Sequence, residues 1–262
     1  MNKTNVLQLL NWLGLLLVLT LNTLANTLPI NGYNTGELSA FYPNLFVPAG
    51  FTFSIWGVIY LSLIGFTVFQ SRGLIAKKTP SKAVNLIGLW FLLSCLTNAS
   101  WIVAWHYQQP LLSLAIMFLL LISLVQIYRN LGIGVRQVKT LEKWLVQLPF
   151  SLYLGWISVA TIANTTAVLV YFNFNGFGLP EAFYAAALIL IAGLLGLYFL
   201  HKGYDFVYAL VIVWACLGIF YKQQYISDVP NALVSTTAAA VGVLLIYRIA
   251  RLGRSFKGSR AY

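Results

Sequence analysis

Eight side chains on three apolar stretches are the candidates for chemistry. Trp56 and Tyr60 lie on one, Asn98 and Trp101 on the second, and Tyr153, Trp156, Ala160 and Asn164 on the third. Spacings of three and four residues put each set on one stripe of a helix. Indole and phenol faces with a few amide donors make the lining of a pocket for a flat, largely apolar molecule. Lipid alone asks for no such stripe. Taken singly, Asn98, Asn164 and Trp101 also read as helix–helix packing, since amides and small residues join helices inside membranes. Three stripes of the same kind point to a cavity.

The remaining polar residues exclude several other chemistries. Glu37, Glu142, Glu181, Asp205 and Asp228 fall in loops or at helix ends, as do His106 and His201. That placement leaves no intramembrane carboxylate for coupling to a proton or sodium gradient. It also leaves no carboxylate pair for acid–base work and no metal-binding cluster. No GxSxG sequence or phosphate-cradling glycine loop occurs. Cys95 and Cys216 sit within apolar runs and read as small packing residues rather than a disulfide framework. Trp105 is expected at a helix end, in the interfacial belt.

The elements that position these residues must be transmembrane helices. Of 262 residues, 60% are hydrophobic and 8% charged, a balance outside the range of soluble domains. A hydrocarbon core of about 30 Å takes roughly 20 apolar residues per helical crossing. Eight runs approach that length, at about 7–29, 48–70, 83–105, 110–128, 145–170, 181–200, 205–221 and 231–248. They lack period-two alternation, which argues against a β-barrel. The expected fold is therefore an all-α, polytopic transmembrane bundle of about eight helices.

Charge supports the count. With eight spans, 15 of the 16 basic residues fall in one set of loops and termini, and Lys222 alone in the other. By the positive-inside rule both termini are expected in the cytoplasm, with the protein in a bacterial inner (plasma) membrane. The net charge of +11 then faces anionic lipid headgroups rather than nucleic acid. The first apolar run exceeds a signal-peptide core and lacks a clear cleavage site, so it reads as an uncleaved helix. Two loops stand out: 30–47, either a lid over the bundle or a solvated loop with interfacial aromatics, and the basic turn 71–82. A turn-rich break at 173–180 divides the chain. Residues 1–178 form a five-helix unit, 179–250 a three-helix extension and 251–262 a basic tail.

Three motifs, in order, resemble the tryptophan-rich sensory protein family, also known as the translocator protein or peripheral benzodiazepine receptor family. Pro48 precedes Trp56 by eight residues, and Tyr60 follows four later. Asn98 and Trp101 match Asn-x-x-Trp. Tyr153, Leu154, Trp156, Ala160, Thr161 and Asn164 match the most specific pattern, in the fifth helix. The resemblance covers about residues 7–172. It implies five helices around a cavity that takes porphyrins, sterol-like molecules and synthetic aromatics, capped by the 30–47 loop. Trp56, Tyr60, Asn98, Trp101, Trp156, Ala160 and Asn164 would line it. Some bacterial members are implicated in light-dependent porphyrin breakdown, which maps to Trp56 and Trp156. The departures are Ala49 where a second proline is expected, Trp105–His106 in place of an aromatic pair, a 30–47 loop without tryptophan, and the three extra helices.

The expected function is binding of a hydrophobic small molecule, flat and aromatic or tetrapyrrole-like, in a sensory, regulatory or transport role. The alternatives are an uncoupled facilitative transporter, a light-dependent porphyrin-degrading enzyme and a membrane scaffold. No cofactor is required by the residues, porphyrin being a ligand that the resemblance implies. The expected partners are membrane lipids, the small molecule and a second copy in a homodimer.

Overall fold

The computed structural model describes residues 2–28, 30–75 and 81–258, the side chains of 74, 75 and 255–258 excepted. Lys77, Lys78 and residues 259–262 of the expected basic tail lie outside the described residues. In chain order the main helices are α1 (Lys3–Thr27), the short α2 (Thr35–Ala40), α3 (Ile55–Gln70), α4 (Lys82–Ile87) and α5 (Trp90–His106). There follow α6 (Pro110–Leu131), α7 (Thr140–Tyr171), α8 (Glu181–Gly203), α9 (Phe206–Tyr221) and α10 (Ala232–Gly258). A 3₁₀ turn, Gly50–Ser54, leads into α3, and a π-helical turn, Lys222–Ile226, continues α9.

Seven of these, α1, α3 with the 3₁₀ turn before it, α6–α8, α9 with the π-helical turn after it, and α10, are long and apolar enough to cross a membrane. The eighth rod, expected as one continuous span, is broken into α4 and α5. Gly88 stands at the break with φ +57° and ψ −132°, a conformation that a side chain would strain. Local sequence sets the other ends. Asn2 caps α1 by accepting from Asn5 N–H, Pro110 occupies the first turn of α6, and Gly132 ends α6 in the left-handed region. Residues 251–258, expected as tail, continue α10 as helix.

Helices α1, α3, α7, α6 and α5 close a ring, each packed on the next. The most enclosed is α7, with 78% of its apolar window buried, against 28% for Ala232–Arg254 in α10. Helices α8, α9 and α10 pack on one another and join the ring through α9, which lies along α7 and against the 3₁₀ turn before α3. Close approach depends on glycine. A Cβ at Gly155 of α7 would lie 3.0 Å from Val211, and one at Gly218 of α9 only 2.0 Å from Thr52 Oγ1. Small residues at such crossings let helix backbones gain dispersion contact where lipid supplies no hydrophobic drive.

The acids correct one expectation. Asp205 is at a helix end, as read, but it is buried. It caps α9 through Tyr208 N–H and accepts from Tyr128 Oη at 3.0 Å and Ser151 Oγ at 2.7 Å. One carboxylate thus ties α6, α7 and α9 together at the end of the bundle that carries the termini. Trp105 is corrected as well: it is buried within the protein rather than exposed at the helix end. His106, at the end of α5 as expected, is also buried, and its Nδ1 lies 2.7 Å from the Ile102 carbonyl.

Candidate functional site

The segment between α1 and α3 folds over the opposite end of the ring, as a lid rather than a solvated loop. Its α2 starts with a capping box: Asn34 Oδ1 accepts from Glu37 N–H, and Glu37 returns a bond to Asn34 N–H. Leu38, Tyr42 and Phe46 turn inward and are buried. Two bonds fasten the α2 edge to α5: Trp105 Nε1 to the Thr35 carbonyl at 3.4 Å, and Asn31 Nδ2 to the His106 carbonyl at 3.0 Å. The Tyr42 ring lies 5.5 Å from that of Trp105.

Beneath the lid is a cavity. Its roof comes from Thr35, Ser39, Tyr42, Asn44, Val47 and Pro48. Its walls are Phe53 from the 3₁₀ turn, Trp56 from the start of α3, Trp101 and Trp105 from α5, and a face of α7. The α7 face presents Trp156, Ala160 and Asn164 beside Val159, Ala163 and Ala167. The space measures about 40 Å³, counted as room for the centre of a water-sized sphere. A ligand of tetrapyrrole size does not fit that space as it stands and enters only if the lid moves.

The eight residues singled out from sequence fall into two layers. Trp56, Trp101, Trp156, Ala160 and Asn164 line the cavity. Tyr60, Asn98 and Tyr153 do not; they lie on the far side of Trp56, against Asn22 of α1. The Trp56 ring joins the layers, stacking on Tyr60 at 5.4 Å and on Trp101 at 6.2 Å. It meets Tyr153 at 6.0 Å and Trp156 at 6.3 Å edge-on. Offset and edge-to-face contacts suit the ring quadrupoles.

Hydrogen bonding separates the layers further. Asn98 Nδ2 donates to Tyr153 Oη at 2.8 Å, and Asn98 Oδ1 accepts from Asn22 Nδ2 at 3.1 Å. Tyr60 Oη lies beside these amides without a partner of good geometry. Asn164 is engaged as well. Its Oδ1 accepts from Trp101 Nε1 at 3.2 Å and Ser113 Oγ at 2.7 Å, and its Nδ2 donates to the Ala160 carbonyl. Both asparagines therefore tie helices together. Trp156 differs: it is 2% exposed, edge-on to Phe53, and its indole N–H has no partner. Thr35 Oγ1, in the roof, is also buried and unpartnered. An unmade hydrogen bond on a buried donor costs about 1–3 kcal/mol, and both atoms carry that cost in this structure.

The lining holds no Lys, Arg, Asp, Glu or His. Its one titratable group is the Tyr42 phenol, which burial and then the neighbouring Tyr171 push above its ordinary value, keeping it protonated at neutral pH. Among the described residues no group of His, Cys, Asp and Glu is placed to hold a metal ion.

Sequence reading missed the roof residues, which belong to no helical stripe. It also missed Val159, Ala163 and Ala167, although their spacing of four, parallel to Ala160–Asn164, is legible in the chain. The chain was compared with known proteins. A family model described as TSPO-like protein matches residues 8–250, a range that takes in the three C-terminal helices set apart from sequence. No curated protein and no solved structure matches. With nearly its whole length matched, this multi-pass membrane protein belongs to the TSPO-like protein family.

Proposed function

We propose that the protein binds a neutral, flat, largely apolar molecule that carries a hydrogen-bond acceptor, in the cavity beneath the lid. The observation that carries this reading is the unpartnered Trp156 N–H in an aromatic, uncharged lining. A carbonyl or ring nitrogen of the ligand takes that hydrogen. Trp56 and Trp101 offer their faces to its rings, and Ala160 leaves room for them. An ionised carboxylate gains no counter-charge inside, so a porphyrin with acidic side chains would keep them at the mouth. The absence of charge in the lining favours a sensory or regulatory role, or passive transport, over ion-driven work. The lid faces away from the cytoplasm if the basic end follows the positive-inside rule.

The test compares 9-fluorenone with fluorene, which has the same flat shape without the carbonyl. Both should quench tryptophan fluorescence saturably in detergent-solubilised protein. Trp156→Phe should weaken fluorenone about tenfold, the worth of one buried hydrogen bond, and leave fluorene within about twofold. The reading fails if neither compound saturates, or if both lose affinity equally.

A further inference from the structure

The second edge of the lid, the strap 44–49 before α3, is held from outside the five-helix ring. Leu45 N–H donates to Glu181 Oε1 at 2.7 Å, at the start of α8. The Lys222 ammonium, just past α9, donates to the Val47 carbonyl at 3.0 Å and the Asn44 carbonyl at 3.4 Å. Gln223 Nε2 donates to the Leu45 carbonyl at 3.4 Å, and Ala49 N–H donates to the Gly218 carbonyl at 3.1 Å. Within the strap, Asn44 Oδ1 accepts from Phe46 and Val47 N–H. Among the described residues, no backbone hydrogen bond of Asn44–Ala49 goes to α1, α5, α6 or α7.

The other face of the same strap is cavity wall, through Asn44, Val47 and Pro48. The seam between α3 and α7 offers no side exit where α9 lies over it. There Trp214 Nε1 donates to the Thr52 carbonyl at 2.9 Å, and Gly218 sits too close to Thr52 for any side chain. Over the cavity the cover is the lid, through Thr35, Ser39, Tyr42 and the strap itself. Its strap edge is held by one backbone bond, from Ala49 to Gly218, and otherwise by side chains, one of them an exposed carboxylate; such side-chain bonds break without unfolding a helix.

We propose that Lys222, with Glu181 and Gln223, latches the strap and sets the rate at which the cavity opens. The C-terminal helices thereby control access to a site that the first five helices build. These are positioning residues: they touch the strap, not the ligand. The exchange of ligand rests on the binding reading above; the latch itself does not. Because the latch holds with the cavity empty or filled, loosening it speeds association and dissociation alike and leaves affinity where it was.

Two measurements on the full-length protein decide this. In stopped-flow quenching by 9-fluorenone, Lys222→Met should raise both rate constants at least about tenfold, since it removes both charge-assisted hydrogen bonds to the strap, with Kd within about twofold. Lys222→Arg, which keeps donors and charge, should restore rates near those of the unaltered protein. Unchanged rates, or a weaker Kd with unchanged association, overturns the latch. Amide hydrogen exchange tests it without ligand. In Lys222→Met, Leu45 and Ala49 should exchange about tenfold faster while α7 stays protected. Equal exchange in the two proteins rejects the latch. If fluorenone does not bind the unaltered protein, the binding reading falls and hydrogen exchange still decides the latch.

Discussion

The two layers joined by Trp56 are built from the same residue types and behave differently. On the far side from the lid, Asn22, Asn98 and Tyr153 exchange hydrogen bonds across α1, α5 and α7, and none of the three lines the cavity. On the lid side, indoles meet alanines and a loop, and a space remains with an unpartnered donor in its wall. An amide facing an amide closes a membrane bundle. An indole facing a small residue and a lid leaves room. A stripe of Trp, Tyr and Asn is therefore not one kind of feature, and what it does depends on the surface opposite.

Substitutions can break this contrast, and the largest effect belongs to the closed layer. Asn98→Leu removes two cross-helix bonds and leaves Asn22 only its bond to the Val18 carbonyl and the Tyr153 hydroxyl without its donor. It should cost about 2 kcal/mol of stability, read from reversible unfolding in mixed micelles, since each such bond is worth about 0.6–2 kcal/mol. Trp156→Phe should act on the open layer instead, lowering fluorenone affinity by about 1.4 kcal/mol in the titration described above. Tyr153→Phe, which removes one accepted bond from Asn98, should cost about 1 kcal/mol in the unfolding measurement. Tyr60→Phe removes a hydroxyl that has no well-formed partner and should change stability by less than about 0.5 kcal/mol. Equal losses in the two tyrosine variants would show that Tyr60 Oη is bonded after all, and the line between the layers would move.

Much of the helical frame was legible because a membrane forces it. A segment in hydrocarbon has to satisfy its own backbone, so run length and composition alone locate helices. The runs at 110–128 and 181–200 lie within α6 and α8, and both helices extend about a turn further. The break at Gly88 was not legible, because the apolar run continues through it. Trp105 was misread for a related reason. Nearness to a helix end implies an interfacial position only if nothing covers that end, and here the lid does. Asp205 was placed correctly at a helix end, yet its burial came from Tyr128 and Ser151 on other helices.

The site divides along the same line. Helical periodicity was enough to put Trp56, Trp101, Trp156, Ala160 and Asn164 on stripes, since neighbours three and four apart share a face by backbone geometry. It could not say which stripe has space before it, nor that Asn164 is held by Trp101 and Ser113 while the Trp156 N–H has no partner.

By itself, then, the sequence determined an all-helical membrane protein with three aromatic stripes and nearly all its positive charge at one end. Those properties are local: they follow from backbone hydrogen bonding in lipid and from 3.6-residue periodicity. Only the tertiary structure decided that the strap at 44–49 is held by Glu181, Lys222 and Gln223, and which buried donors are left unpaired. Leu45 and Glu181 are 136 positions apart, and Lys222 and Asn44 are 178 apart. No local rule connects residues at that separation. Their meeting is fixed by how close glycine lets α9 come to the 3₁₀ turn before α3.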